Sequence, residues 1–352
     1  MIIMKRISLI VPTYNEAENI KPLIEEVVQK IDSTQIDIEF IIVDDNSSDG
    51  TGNIAERLKD IYPIQIIHRS GKLGLGSAVI EGFRLSTREY LGVMDADLSH
   101  DPAILNDMIQ SLSECDIAIG SRFEAGSSVE QWKWWRKATS YIGVFCARIL
   151  SGAKDPLSGY FVMRRSVIDG VELTTQGYKI LFEILMKGKQ KHIREFPFTF
   201  RMRERSTSKL NSKEYILFVK QIVSYAMYKY KSLFRYVVIG GTSFVFDMSS
   251  LYIFKEWMGL SPVIAVALNQ IFILSYIFIL NKVWAFHSSK KTGSALVRFV
   301  MLQAFNYCFG ILWMLLFYEH LGVNYLVARI ANIILFVAWN FFLYKTWVFK
   351  KN

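Results

Sequence analysis

Four apolar stretches, near residues 233–254, 262–281, 296–318 and 323–343, constrain this chain more than any other feature. Each has about the ~20 residues a helix needs to cross a bilayer core of roughly 30 Å. Four in succession leave little room for the alternative, a helical bundle buried inside a soluble protein. The 352-residue chain is 51% apolar, and the surplus is concentrated there, because residues 1–230 read as an ordinary α/β chain. The early apolar run Ile7–Val11 is too short for a signal peptide or a span and ends at Pro12. The chain is therefore expected to start in the cytoplasm. Lys229, Lys231 and Arg235 precede span one, Lys282, Lys290, Lys291 and Arg298 separate spans two and three, and Lys345, Lys350 and Lys351 follow span four. The positive-inside rule then puts both termini and residues 1–230 on the cytoplasmic side of an integral membrane protein.

The spans are a duplication. Residues 235–286 match the stretch 63 positions further on, without a gap, at Arg235/Arg298, Glu256/Glu319, Gly259/Gly322, Asn269/Asn332, Lys282/Lys345, Trp284/Trp347 and Phe286/Phe349. Each unit holds two spans, so both enter the membrane from one side as a parallel repeat. Two charges, Asp247 and Arg329, fall inside the spans. A lone charge near the bilayer centre costs at least ~3 kcal/mol. The pair is expected to tie span one to span four; the alternative has Arg329 snorkelling alone to the surface.

Residues 1–230 alternate predicted strands and helices. Strands at Ile7–Val11, Ile38–Val43, Ile64–His68 and Tyr90–Asp97 are separated by helices running to about Ile31, over 52–60 and over 77–88. That alternation predicts a doubly wound, mostly parallel sheet. Its polar and glycine-rich turns then gather on one edge, where such sheets bind ligands. The fourth strand ends in Asp95-Ala96-Asp97. Strand alternation points both carboxylates the same way, and like charges this close call for a hard divalent cation. An acidic cap on the following helix is the other reading. The net charge of +9 points to phosphates and membrane lipids as partners; no nucleic-acid motif accompanies it. Cys115, Cys146 and Cys308 have no metal-ligand spacing and read as free thiols.

The order of the strand-end motifs is more specific than any one of them. Pro12-x-Tyr14-Asn15-Glu16 comes first, then Val43-Asp44-Asp45-Asn46-Ser47-x-Asp49-Gly50-Thr51, then Lys72-x-Gly74-Leu75-Gly76, then Asp95-Ala96-Asp97. This series, covering about residues 5–215, resembles the inverting nucleotide-sugar glycosyltransferases of GT-A fold, family 2, and within them the dolichyl-phosphate mannose synthases. The resemblance implies a catalytic domain over 1–210, with an interfacial helix at 131–150. It implies that Pro12, Tyr14, Glu16, Ile42, Asp44 and Lys72 bind the donor together with Asp95, Ala96 and Asp97. An Asp can accept from the N–H groups of a guanine edge, which suits GDP-mannose. Asp95 and Asp97 are the implied ligands of Mg2+ or Mn2+. The family's usual Gln two residues after the second Asp is Ser99 here, whose hydroxyl is a third candidate ligand.

Gly120-Ser121-Arg122-Phe123 and Asp155-Pro156-Leu157-Ser158-Gly159-Tyr160 match further family turns. Arg203, Ser208 and Lys209 fit an Arg–five residues–Lys pattern, with Ser206 where a Gly is usual. The resemblance makes Asp97, Arg122, Arg203 and Lys209 catalytic. It gives the phosphate of a dolichyl or other polyprenyl phosphate acceptor to Arg122, Arg136, Ser140, Arg203 and Lys209. Trp132-Lys133-Trp134-Trp135-Arg136-Lys137 reads as the start of a helix in the head-group region, and 211–232 as a second, amphipathic one. The region 233–352 resembles the GtrA-like membrane domain. The implied reaction is inverting transfer of mannose from GDP-mannose to dolichyl phosphate, giving the β-linked lipid phosphate sugar at the cytoplasmic face. The same chemistry with UDP-glucose is the nearest alternative. A lipid-phosphate-sugar transporter is the alternative from another class.

Overall fold

The computed structural model describes residues 4–129, 134–174, 179–201 and 212–350, with the backbone alone for 128–129, 134–142 and 212–215. The chain divides into two compact units, residues 1–225 and 226–352.

In the first unit β1 (Lys5–Thr13), α1 (Ile20–Lys30), β2 (Ile36–Asp44), α2 (Thr51–Leu58), β3 (Ile64–His68), α3 (Leu75–Leu85) and β4 (Tyr90–Val93) follow the predicted alternation. Then come α4 (Leu105–Ser111), β5 (Ile117–Ser121), β6 (Ser128–Val129), α5 (Trp134–Ser151), β7 (Phe161–Arg164), α6 (Ile180–Lys187), β8 (Ile193–Pro197), β9 (Thr199–Phe200) and α7 (Ser212–Lys229). Seven strands form one sheet in the order β3-β2-β1-β4-β7-β5-β8, and β6 pairs with β9 beside it. All pairings in the large sheet are parallel except those of β7, which runs antiparallel to β4 and β5. Apolar residues alternate across it. Ile7, Leu9 and Val11 face α1, α2 and α4, while Ile10, Ile41 and Val43 face α3 and α6. Because β7 is reversed, the turn before it lies on the same edge as the ends of β1, β2, β4 and β5. The motifs therefore do share one edge.

One expectation changes. The fourth strand stops at Val93, and Met94 N–H gives the last bond of the ladder, to Ile10 O at 3.1 Å. Asp95 and Asp97 thus stand in the loop beyond the strand. Their directions are set by that loop and not by pleat alternation.

In the second unit α8 (Lys231–Tyr252), α9 (Pro262–Leu280), α10 (Thr292–Met314) and α11 (Tyr325–Leu343) each continue into a π-helical turn. The four helices are long and apolar enough to cross a membrane. The duplication is visible in contacts. Arg235 Nη1 donates to Trp284 O at 2.7 Å and Arg298 Nη1 to Trp347 O at 3.0 Å. Each guanidinium also lies over the indole, at 5.4 and 5.8 Å. Phe286 and Phe349 stack on each other at 5.7 Å, so equivalent residues of the two repeats meet in the core between them.

Asp247 and Arg329 form no ion pair, contrary to expectation. Asp247 Oδ1 accepts from Asn269 Nδ2 at 2.6 Å, and Ser250 Oγ donates to Asn269 Oδ1 at 2.5 Å. The acid is therefore satisfied inside its own repeat, while Arg329 is exposed. The second repeat has Gly310 in place of Asp247 and Trp313 in place of Ser250. Its buried Asn332 consequently has no hydrogen-bond partner for either amide atom. Removing one member of a satisfied intramembrane pair costs about 1 kcal/mol, whereas an unpartnered amide is replaced by an isosteric apolar group without loss. Asp247→Leu is thus expected to lower the melting temperature of the full chain in detergent. Asn332→Leu is expected to leave it unchanged or raise it.

Candidate active site

The ends of β1 and β2 are joined by side-chain hydrogen bonds. Thr13 Oγ1 donates to Asp44 Oδ1 at 3.1 Å, and Ser47 donates its hydroxyl to Oδ1 (2.5 Å) and its N–H to Oδ2 (3.1 Å). Asn15 sits at φ +55°, a left-handed conformation that Asn tolerates. There its N–H donates to Ser47 Oγ at 2.9 Å and its Oδ1 accepts from Ser48 N–H at 3.0 Å. Glu16 N–H donates to Thr51 Oγ1 at 2.8 Å. Burial alone would raise the Asp49 carboxyl, but hydrogen bonds from Thr51 and from Ala17 N–H hold it below its ordinary range. Pro12, Tyr14 and Glu16 are partly exposed at this rim. Asp44 is buried and already engaged. Ile42 and Ala96 are core residues that back the site from beneath.

The glycine loop is held by a residue to which sequence reasoning gave no role. Arg69, buried just after β3, forms an ion pair with buried Asp45, reaches Ser77 Oγ at 2.7 Å and lies 3.0 Å from Glu81. Asp45 Oδ2 in turn accepts from Gly74 N–H at 2.9 Å. Gly74 takes φ +100°, which favours glycine, and opens α3. The clamp fixes the loop carrying Lys72, whose Nζ lies 4.1 Å over the Tyr14 ring. The signal for Arg69 was a lone arginine between a strand and a glycine-rich turn. Its partners come from two separate stretches, the end of β2 and the start of α3, so its function emerges only on folding.

The acid pair follows β4 on the same edge of the sheet. Asp97 is buried, and its Oδ1 accepts from Ser99 Oγ at 2.5 Å and Ser99 N–H at 3.1 Å. Ser99 is wholly buried, with its hydroxyl hydrogen committed to Asp97. Among the described residues no three His, Cys, Asp or Glu side chains converge into a ready-made cage. Two carboxylates one residue apart at the sheet edge fit Mg2+ or Mn2+, ions that can take the rest of their shell from phosphates and water.

Arg122 supplies a partly exposed positive charge at the same edge. Its Nε and Nη2 reach the wholly buried Asp155 carboxylate at 2.8 and 2.9 Å, and its N–H donates there at 3.0 Å. Burial alone would lower the guanidinium pKa, but Asp155 and Asp95 raise it. The turn that carries Asp155 also sets the neighbouring walls. Ser158 Oγ donates to Gly120 O at 2.7 Å. A Cβ on Gly159 would stand 2.7 Å from Asp95 Oδ2. The glycine is needed because that turn passes against the carboxylate.

Arg203 and Lys209 lie outside the described residues, as do Trp132, Lys133, Ser206 and Ser208. Arg136 and Ser140 belong to α5, where the backbone alone is described. The stretch that carries Arg203 leaves from Arg201, whose N–H donates to Ser99 O at 3.0 Å. Along α5 Val144 and Ala147 are buried, whereas Phe145 and Ile149 are exposed. On α7 Phe218 and Tyr225 pack on Phe182, leaving Ile216, Leu217, Val219 and Val223 exposed.

The glycosyl transferase family 2 profile matches residues 8–208, and the GtrA/DPMS transmembrane domain profile matches residues 235–349. A dolichol-phosphate mannosyltransferase of Pyrococcus furiosus is 35% identical over 345 residues, covering 94% of this chain and 95% of that one. Its namesake in Saccharomyces cerevisiae is 32% identical over 258 residues, 70% of this chain and 97% of its own. That of Mycosarcoma maydis is 32% identical over 260 residues, 71% and 87% of the two chains. With four apolar helices, the acid pair and the Arg122–Asp155 pair in place, the chain belongs to the dolichol-phosphate mannosyltransferase family, as a family 2 glycosyl transferase joined to a GtrA/DPMS transmembrane domain.

Proposed function

We propose that this protein transfers mannose from GDP-mannose to dolichyl phosphate, with inversion, on the cytoplasmic side of the membrane. The observation that carries the reading is the likeness to dolichol-phosphate mannosyltransferases along almost the whole chain, through both domains. In this reading Tyr14, Glu16 and Lys72 flank the donor on the joined ends of β1 and β2. Asp97 and Asp95 hold Mg2+ or Mn2+, which supplies charge neutralisation for the departing diphosphate. Ser99 acts through Asp97, by fixing which carboxylate oxygen faces the donor. Arg122 faces the acceptor phosphate with the N–H groups that Asp155 leaves over, and Arg136, Ser140, Arg203 and Lys209 complete that subsite. A phosphate monoester is largely dianionic near neutral pH, so the acceptor oxygen needs no protein base. In-line attack on an α-linked donor then gives a β-linked product. The exposed apolar residues of α5 and α7 rest against lipid.

Purified protein is expected to form lipid phosphate mannose from GDP-mannose and dolichyl phosphate. A preference for UDP-glucose over GDP-mannose would overturn the donor assignment. Movement of labelled lipid across vesicles without any transfer would replace the enzyme reading by a transporter. Gly159→Ala forces the Asp95 carboxylate aside, and a displacement near 1 Å costs about 100-fold in rate. That variant is expected to melt close to wild type and to lose transfer by about that factor, measured as turnover at saturating donor.

A further inference from the structure

The loop that follows β4 closes on itself. Leu98 takes φ +60°, which is sparsely populated for a leucine, and this turn brings His100 back over Asp95. His100 Nδ1 accepts from Asp95 N–H at 3.2 Å, and His100 Nε2 lies 3.8 Å from Asp95 Oδ2. A ring nitrogen that accepts carries no proton, so the neutral imidazole has its proton on Nε2, on the side of the carboxylate. The ring is 3% exposed. It stacks on Tyr160 at 5.1 Å and meets Phe198 and Phe200 edge-on at 5.7 and 6.0 Å. The same box touches the rest of the site. Tyr160 follows Gly159, the residue pressed against Asp95, and the Phe200 ring has the Arg122 guanidinium at 5.7 Å. The loop is also fixed from outside, by Tyr160 Oη donating to Asp101 O at 3.2 Å and by Arg201 bridging Glu26 and Asp101.

The strand cannot aim Asp95, because it has ended at Val93. A group that grips the main chain of residue 95, and whose own orientation is locked by three aromatic rings, can do so. We propose that His100 is a positioning residue of the donor site. It fixes Asp95 through the N–H···Nδ1 bond, so that Asp95 and Asp97 present a preset pair of oxygens to the donor. This rests on the reading of the two carboxylates as the donor and metal site.

Two substitutions separate positioning from packing. His100→Phe keeps the aromatic box and removes the acceptor. His100→Asn keeps an oxygen acceptor where Nδ1 stood and removes the ring, which leaves a cavity. Each full-length variant is purified in detergent, melted, and titrated with GDP in the presence of Mn2+. The Phe variant is expected to melt near wild type yet bind Mn2+ with GDP about tenfold more weakly, as loss of a supporting hydrogen bond does. The Asn variant is expected to melt lower yet bind within about threefold of wild type. Affinity that falls in step with melting temperature, with Asn the weaker binder, would overturn the proposal, as would wild-type affinity in the Phe variant. Asp97→Ala, titrated alongside, keeps the two readings apart. Undiminished affinity in that variant overturns the donor-site reading itself, and the His100 proposal with it. Its loss, together with wild-type affinity in His100→Phe, overturns the His100 proposal alone.

Discussion

A partly exposed guanidinium gripped by a wholly buried carboxylate underlies the charge balance of this site. Arg122 and Asp155 are joined by two side-chain hydrogen bonds of 2.8 and 2.9 Å at the edge of the sheet. Removing Arg122 strands the buried Asp155 charge, at roughly 3–5 kcal/mol. The pair does more than balance itself. Asp155 consumes one side of the guanidinium fork and thereby fixes where the other side faces. The turn that brings Asp155 in also delivers Ser158 to Gly120 and Gly159 to Asp95. The proposed reaction brings a dianionic phosphate against a diphosphate. Such an encounter needs cations held in place beforehand, because charge that reorganises during the reaction stabilises less.

Much of the first unit was legible because its strands are runs of Ile, Val, Leu and Phe that end in polar turns. β3 occupies Ile64–His68, as periodicity implies, and β1 and β2 extend only a little beyond their apolar runs. The direction of β7 was not legible. A four-residue strand with three apolar positions reads the same both ways. The acid pair was legible as a motif but not as geometry. Two carboxylates one residue apart after a strand suit either a cation or a helix cap. The loop that aims them depends on Leu98 in a left-handed conformation and on a histidine five residues away. Arg69 escaped because its partners, Asp45, Gly74, Ser77 and Glu81, gather around it only in the folded chain.

In the second unit the repeat was fully legible, since a fixed 63-residue offset survives whatever the packing. The partner of Asp247 was not. Sequence pairs charges by sign, whereas the folded repeat satisfies the carboxylate with the amide of Asn269 on the next span, itself held by Ser250 on the same helix as Asp247. The second repeat has lost both acid and hydroxyl while keeping Asn332, so the two halves match at their Arg–Trp ends and differ within the spans.

The proposed reaction makes one chemical demand: the lipid phosphate would attack the anomeric carbon directly, with no side chain forming a sugar bond on the way. The most direct test is the anomeric configuration of the product made by purified protein from an α-linked donor, read from the one-bond carbon–proton coupling at that carbon. A β-linked lipid phosphate sugar is the predicted result. An α-linked product, which requires two successive displacements or front-face attack, would contradict it.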